Sequence, residues 1–183
     1  MKTVSSILNE ASLSRVMQHT KERNIGMITA FRSENTKQEN IKLNKQLEAD
    51  IRKIGYGVIR VKGRYIENYG SDSATPVDEN SYLVVGDKGD DKGKLLQHLH
   101  MLGKKYKQDS VLHKSHADEK ATLHGTREGG WPGLGKTHET GTWHPDRAGE
   151  FHTLMRGGKK KFAFESFQYM SPPSFSARHE TEF

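Results

Sequence analysis

The chain contains no cysteine. That excludes disulfides and thiol catalysis. It also favours an intracellular or virion setting, since a secreted scaffold of this size would usually carry cysteines. No apolar run reaches the ~18 residues that a membrane-spanning helix needs, so no membrane partner is expected. The N-terminus lacks the apolar core of about 7–15 residues that marks a secretory signal. Neither an H-E-x-x-H pattern nor any Cys-His pattern occurs, and no Ser/His/Asp order is recognisable. Hydrophobic residues are scarce, 32% of 183, and mean hydropathy is −0.85. These values suit one domain with a modest core, extensions and much irregular polar surface.

What is present is charge. Lys and Arg number 29 against 23 Asp and Glu, for a net +6 and a pI near 9.4. Such a balance favours polyanion partners through counterion release, or is simply a solvated surface.

Hydrophobic periodicity orders the first two thirds. Residues 4–22 read as a short amphipathic helix, with Val4, Ile7, Leu8 and Ala11 at helical spacing. "GMITAF" (26–31) reads as a buried strand. Thr36 and Glu39 form a capping box. The helix they open carries Leu43, Leu47, Ile51 and Ile54 on one face, and Gly55 stands at its C-terminal cap. "YGVIRVKG" (56–63) reads as a strand, "SDSATPVDEN" (71–80) as a loop and "SYLVVG" (81–86) as a strand. A helix over 94–106 and a strand over 109–113 follow. The expected fold is α/β or α+β: a small mixed sheet with two main packing helices, an N-terminal amphipathic helix and an irregular Gly/His-rich C-terminal third. The expected divisions are 1–10, 11–25, a core over 26–125 and an extension over 126–183. In that extension "KFAFESF" (161–167) is the only clear strand, before a flexible tail.

Several motifs invite chemistry. "GWPGLGKT" (130–137) matches the phosphate-loop pattern at Gly130, Gly135, Lys136 and Thr137. A true phosphate loop follows a buried strand and opens a helix. The following "HETGTWHP" suits no helix, so a structural Gly/Pro loop is expected. Histidines crowd the later chain at 113, 116, 124, 138, 144, 152 and 179, without an anchoring metal pair. No metal and no cofactor are therefore expected. "VKGRYIENYG" interleaves Lys62, Arg64 and Tyr65 in a way that suits nucleic-acid backbone and base contacts, or an ordinary strand. Lys159, Lys160 and Lys161 add a second basic candidate. Glu67 and Glu79 could form a carboxylate pair, although no spacing rule joins them.

Two resemblances follow from specific residues. "ITAF" (28–31), Asn40 and Asn44 in "ENIKLNKQLEADIRKIGYG", "DENSYLVVG" (78–86) and "LGKKYKQDSVL" (102–112) resemble an uncharacterised bacterial and phage domain family of unknown function. The chain departs from it at Phe31-Arg32, where that family carries a Trp-Asn pair. The resemblance implies a fold and no chemistry. Its polar positions here are Thr29, Arg32, Asn40, Asn44, Glu79, Ser81, Gln108 and Asp109, which build one site or satisfy one another. Second, "MKTVSSILNEA" resembles the capsid-targeting peptides of internal proteins in T-even-type phages, which are cut after a glutamate. Here the cut would fall between Glu10 and Ala11.

These resemblances imply a phage internal protein, carried in the virion interior with packaged DNA and the capsid scaffold and ejected into the host cytoplasm. There it would bind nucleic acid or a host protein, with counter-defence as one role. The alternative is a small enzyme acting on nucleotides or nucleic acid, for example one resembling ADP-ribosyltransferases.

Overall fold

The computed structural model describes residues 18–67, 75–145, 152–155 and 161–165. The expected class holds: two helices pack on one antiparallel sheet. The elements run β1 (Arg23–Ile28), α1 (Lys37–Ile54), β2 (Gly57–Glu67), β3 (Thr75–Lys88), α2 (Lys94–Lys105), β4 (Ser110–Lys114), β5 (Lys120–Gly125), β6 (Thr137–Pro145), β7 (His152–Met155) and β8 (Lys161–Glu165). The sheet closes as a barrel in the order β1-β3-β2-β7-β8-β6-β5-β4. Among the described residues, every strand has a hydrogen-bonded neighbour on each side over part of its length, which limits the open edges. No helix among the described residues is long and apolar enough to cross a membrane.

Strand alternation divides the core in two. Ile25, Val61, Leu83 and Ala121 are buried together, with Met27, Ile59 and Leu112 packed against them. These side chains come from five strands and fill the inside of the barrel. Their neighbours of opposite parity face out, where Ile28, Tyr82, Val84 and Val111 meet Leu47 and Ile51 of α1 and Leu95, Leu99 and Leu102 of α2. The approach of α2 to β1 is close. A Cβ on Gly26 would lie 2.3 Å from a methyl of Leu99.

Local signals set α1. Thr36 accepts from the Glu39 backbone, and the Glu39 carboxylate accepts from the Thr36 N–H at 2.8 Å. At the other end Gly55 takes φ 107°, and its N–H bonds the Arg52 carbonyl.

Three local readings change. The first strand starts earlier and stops at Ile28, because the Ala30 and Phe31 N–H groups bond side chains instead of a neighbouring strand. The polar stretch 75–80, expected as loop, is strand. Its partner is the second half of β2, with Gly63 opposite Glu79 and Glu67 opposite Thr75. Among the described residues of 126–183, where the sequence suggested one strand, there are three, and β6 and β8 pair to complete the wall. Gly141 hid β6: it takes φ 103° where β5 and β6 slip register between Ala121 and Thr122. A glycine in a stretch read only as unsuited to a helix is here a bulge residue in a strand. Of the expected N-terminal helix, residues 18–22 are described, with helix at 18–22. The Glu10-Ala11 junction lies outside the described residues.

Candidate functional site

The segment after β1 is held in place by amide side chains. Asn44, buried on α1, accepts from the Ala30 N–H at 2.8 Å and donates to the Asn80 carbonyl at 2.6 Å. One turn earlier, Asn40 accepts from the Arg32 N–H and donates to the Arg32 carbonyl, both at 2.9 Å. The Thr29 hydroxyl donates to the same Asn80 carbonyl and accepts from the Phe31 N–H. Gln108 donates to the Phe31 carbonyl from the other side, at 3.3 Å. A chain leaving a strand must satisfy its backbone groups, and these side chains do so. Positions 40 and 44 fall on one face because a helix brings i and i+4 together.

A second loop closes over the first. Thr126 donates through its hydroxyl to the Gln108 carbonyl at 2.6 Å and through its N–H to the Asp109 carbonyl at 2.9 Å. The Arg127 guanidinium pairs with Asp109, with Nε 2.7 Å from the carboxylate. Gly130 lies against Asp109, where a Cβ would come within 2.6 Å of the carboxyl carbon. Gly125 is packed against the Gly133 backbone. Two ion pairs therefore stand on these loops, Arg32–Glu34 at 2.5 Å and Arg127–Asp109. Glu34's own backbone N–H and the Arg32 guanidinium hold its carboxyl below the usual carboxylate range, and Arg127 adds to that pull. The link between the two pairs is geometric: Gln108, next to Asp109, bonds the carbonyl of Phe31, next to Arg32.

Of the eight polar positions singled out from sequence, Thr29, Arg32, Asn40, Asn44, Gln108 and Asp109 come together here. Ser81 is buried on β3 with the parity of Leu83, toward the barrel interior. Glu79 sits on β3 opposite Gly63. Glu67 and Glu79 are not a pair along the ladder. Register separates them by four rungs, about 13 Å. The phosphate-loop pattern runs from β5 directly into β6, with no helix after it to face a phosphate. Lys62 is exposed on β2. Arg64 and Tyr65 lie along the same strand and Lys161 opens β8, while Lys159 and Lys160 are outside the described residues.

Sequence reasoning missed a second polar centre. Glu48 of α1 is nearly buried and accepts from Arg52 and from Arg60 of β2 at 2.9–3.2 Å. Burial pushes its pKa up, but the two guanidiniums outweigh that and hold it low. Above it the Tyr82 hydroxyl donates to the Asn44 carbonyl at 3.0 Å, and burial with the Glu48 charge pushes its pKa up to about 12. The i, i+4 spacing of Glu48 and Arg52 is visible in sequence. The arrival of Arg60 depends on the packing of β2 on α1.

A family model described as the S-adenosylmethionine lyase family matches residues 26–165. No curated protein is similar enough to count as a match. The matched span starts inside β1 and ends with β8, so it contains both loops and the strands that close the barrel. This corrects three expectations. The family is a named one and not a domain of unknown function. Its name describes an enzyme, which overturns the reading as a packaged internal phage protein. The capsid-targeting and cleavage readings at Glu10 and Ala11 lose their support with it. The alternative, a small enzyme acting on nucleotides or nucleic acid, is the better of the two in that it names an enzyme. With more than half of its length matched, the chain belongs to the S-adenosylmethionine lyase family.

Proposed function

We propose that this protein cleaves S-adenosylmethionine at a carbon–sulfur bond of its sulfonium. The observation that carries this reading is the family match over residues 26–165, which spans the barrel and both loops of the candidate site.

The chemistry sets what such a site must do. A sulfonium departs as a neutral thioether, so no proton donor is needed at the leaving group. The demands are to orient the substrate and to hold its ends. One end is a zwitterion, an α-carboxylate beside an ammonium. The two loops offer both signs side by side: Arg32 and Arg127 for the carboxylate, Glu34 and Asp109 for the ammonium. A planar guanidinium suits a carboxylate in a two-bond fork. A carboxylate placed against the sulfur would stabilise the charged ground state more than a transition state in which that charge disperses. Glu34 and Asp109 therefore belong at the amino-acid end. The balancing bond comes from the substrate itself: an oxygen of its α-carboxylate bonds to the γ-carbon as the C–S electron pair leaves on the sulfur, giving a five-membered lactone and the thioether without acid or base, and the fixed backbone of 29–32 supplies the rigidity that this alignment needs.

The test is to incubate the purified full chain with S-adenosylmethionine and follow products by mass spectrometry. The expected result is substrate loss matched by a neutral nucleoside thioether. Arg32→Ala and Arg127→Ala should raise KM roughly tenfold or more while leaving the unfolding midpoint close to that of the parent. Unchanged S-adenosylmethionine after prolonged incubation overturns the reading.

A further inference from the structure

Three histidines from three elements meet on the outer wall of the barrel, away from the amide-held loop. His100 lies on α2, His113 on β4 and His124 on β5. The His100 and His124 rings stand 5.5 Å apart at 68°, and those of His113 and His124 6.1 Å apart at 72°. Both contacts are edge to face. The ladder explains the second, since Val111 pairs with His124 and His113 with Thr122, which sets the two rings on neighbouring strands. The first arises because Leu99 and Leu102 bury α2 on the wall and carry His100 with them. His113 Nε2 is buried and has no hydrogen-bond partner.

This geometry suits neutral rings. A proton on any one of them places a cation in a half-buried wall, against two other rings able to charge. The charged groups facing the cluster act in both directions. Lys104 of α2 and Lys114 of β4 oppose protonation, while Asp91 and Asp118 favour it at His113. His98, on the same helix, is engaged instead with the Tyr56 hydroxyl at 2.8 Å. Among the described residues no group of His, Asp and Glu converges on a metal position. The chemistry left to the cluster is proton uptake. An open cleft lined by Leu96, Gln97, His100, Met101 and Lys104 gives solvent a route to its edge.

We propose that His100, His113 and His124 form an acid-sensitive latch that holds α2 against β4 and β5 only while the rings are neutral. Below the latch, the chain leaves α2 at its cap Tyr106 and reaches Gln108, which holds the Phe31 carbonyl. Loosening α2 therefore loosens the loop at Arg32. The proposal concerns the fold and stands whatever molecule the barrel acts on.

The direction follows from linkage. Burial holds all three histidines below the ordinary value of 6.5, and His124 falls to about 4 through burial and then through His100 and His113. The unfolded chain takes up protons first as pH falls through 6.5. Stability is then full above that pH and is lost between it and about 4. Each histidine still neutral in the native state contributes up to about a tenfold fall in the folding constant per pH unit.

The experiment follows histidine ring resonances and hydrogen exchange of the full chain from pH 7.5 to 4.5, together with urea unfolding. The expected native resonances of His113 and His124 titrate well below 6.5, exchange in 94–105 rises on acidification before that of β2 and β3, and His124→Gln flattens the pH dependence of unfolding. Native rings that titrate at or above 6.5, or an α2 whose protection follows β2 and β3 at every pH, overturn the proposal. If His124→Gln does not fold, the parent's resonances and exchange decide.

Discussion

At the scale of single residues, the amide side chains carry more weight than their number suggests. Asn44 satisfies two backbone groups of different segments, and one of them, the Ala30 N–H, belongs to a residue with no exposed surface. Removing it leaves a buried donor orphaned. Asn44→Ala should cost about 2–3 kcal/mol, measured by urea unfolding, against roughly 1 kcal/mol for Thr29→Ala, whose hydroxyl is exposed. A loss below about 0.5 kcal/mol for Asn44→Ala would mean that water replaces it. Glu48 makes a different prediction. Its carboxyl lies below the ordinary value of 4.5 in the folded chain, because Arg52 and Arg60 outweigh burial. The unfolded chain protonates first as pH falls below 4.5, so this contribution is present above that pH and lost beneath it. Glu48→Gln should be less stable at pH 7 and show a shallower acid limb below pH 4.5, by denaturation at several pH values. An acid limb identical to the parent would remove Glu48 from that role.

At the scale of elements, α1 was the most legible. Its capping box, its apolar face and its glycine cap all stand in the sequence and all reappear in the structure. These signals are local, and local bonds within a few residues decide them. Thr36→Ala should cost about 1 kcal/mol through the lost cap. Gly55→Ala should cost a similar amount, because φ 107° strains any side-chain-bearing residue. Circular dichroism with thermal melts checks both, and an unchanged Tm for either would show that tertiary packing alone holds that end. Strands were less legible. The segment 75–80 has loop composition, yet it pairs with β2, because half of a hairpin can be polar once its partner is present. β6 was hidden by Gly141 and its histidines, and its status as a strand depends on β5 and β8.

At the scale of the whole molecule, closure is the feature that no segment announces. β8 joins β6 to β7, and β7 joins the wall to β2. A chain ending at residue 160 loses β8 and should lose cooperative unfolding, with the β2–β3 ladder retaining the most protection in hydrogen exchange. A truncated chain that melts as sharply as the parent would show that the remaining strands suffice. The same closure explains why the family match extends to residue 165 and not only across the apolar first two thirds.

The sequence by itself determined the two helices, the caps of α1 and the succession of elements from β1 to β4, each resting on periodicity or on contacts between residues close along the chain. Six of the polar positions around the candidate site came instead from the resemblance to a domain family. Only the tertiary structure decided that the strands close on themselves, that Asp109 meets Arg127, that Arg60 reaches Glu48 and that three histidines share one wall. These contacts join residues far apart in the chain, and no local preference encodes which distant strand a half-polar segment will pair with.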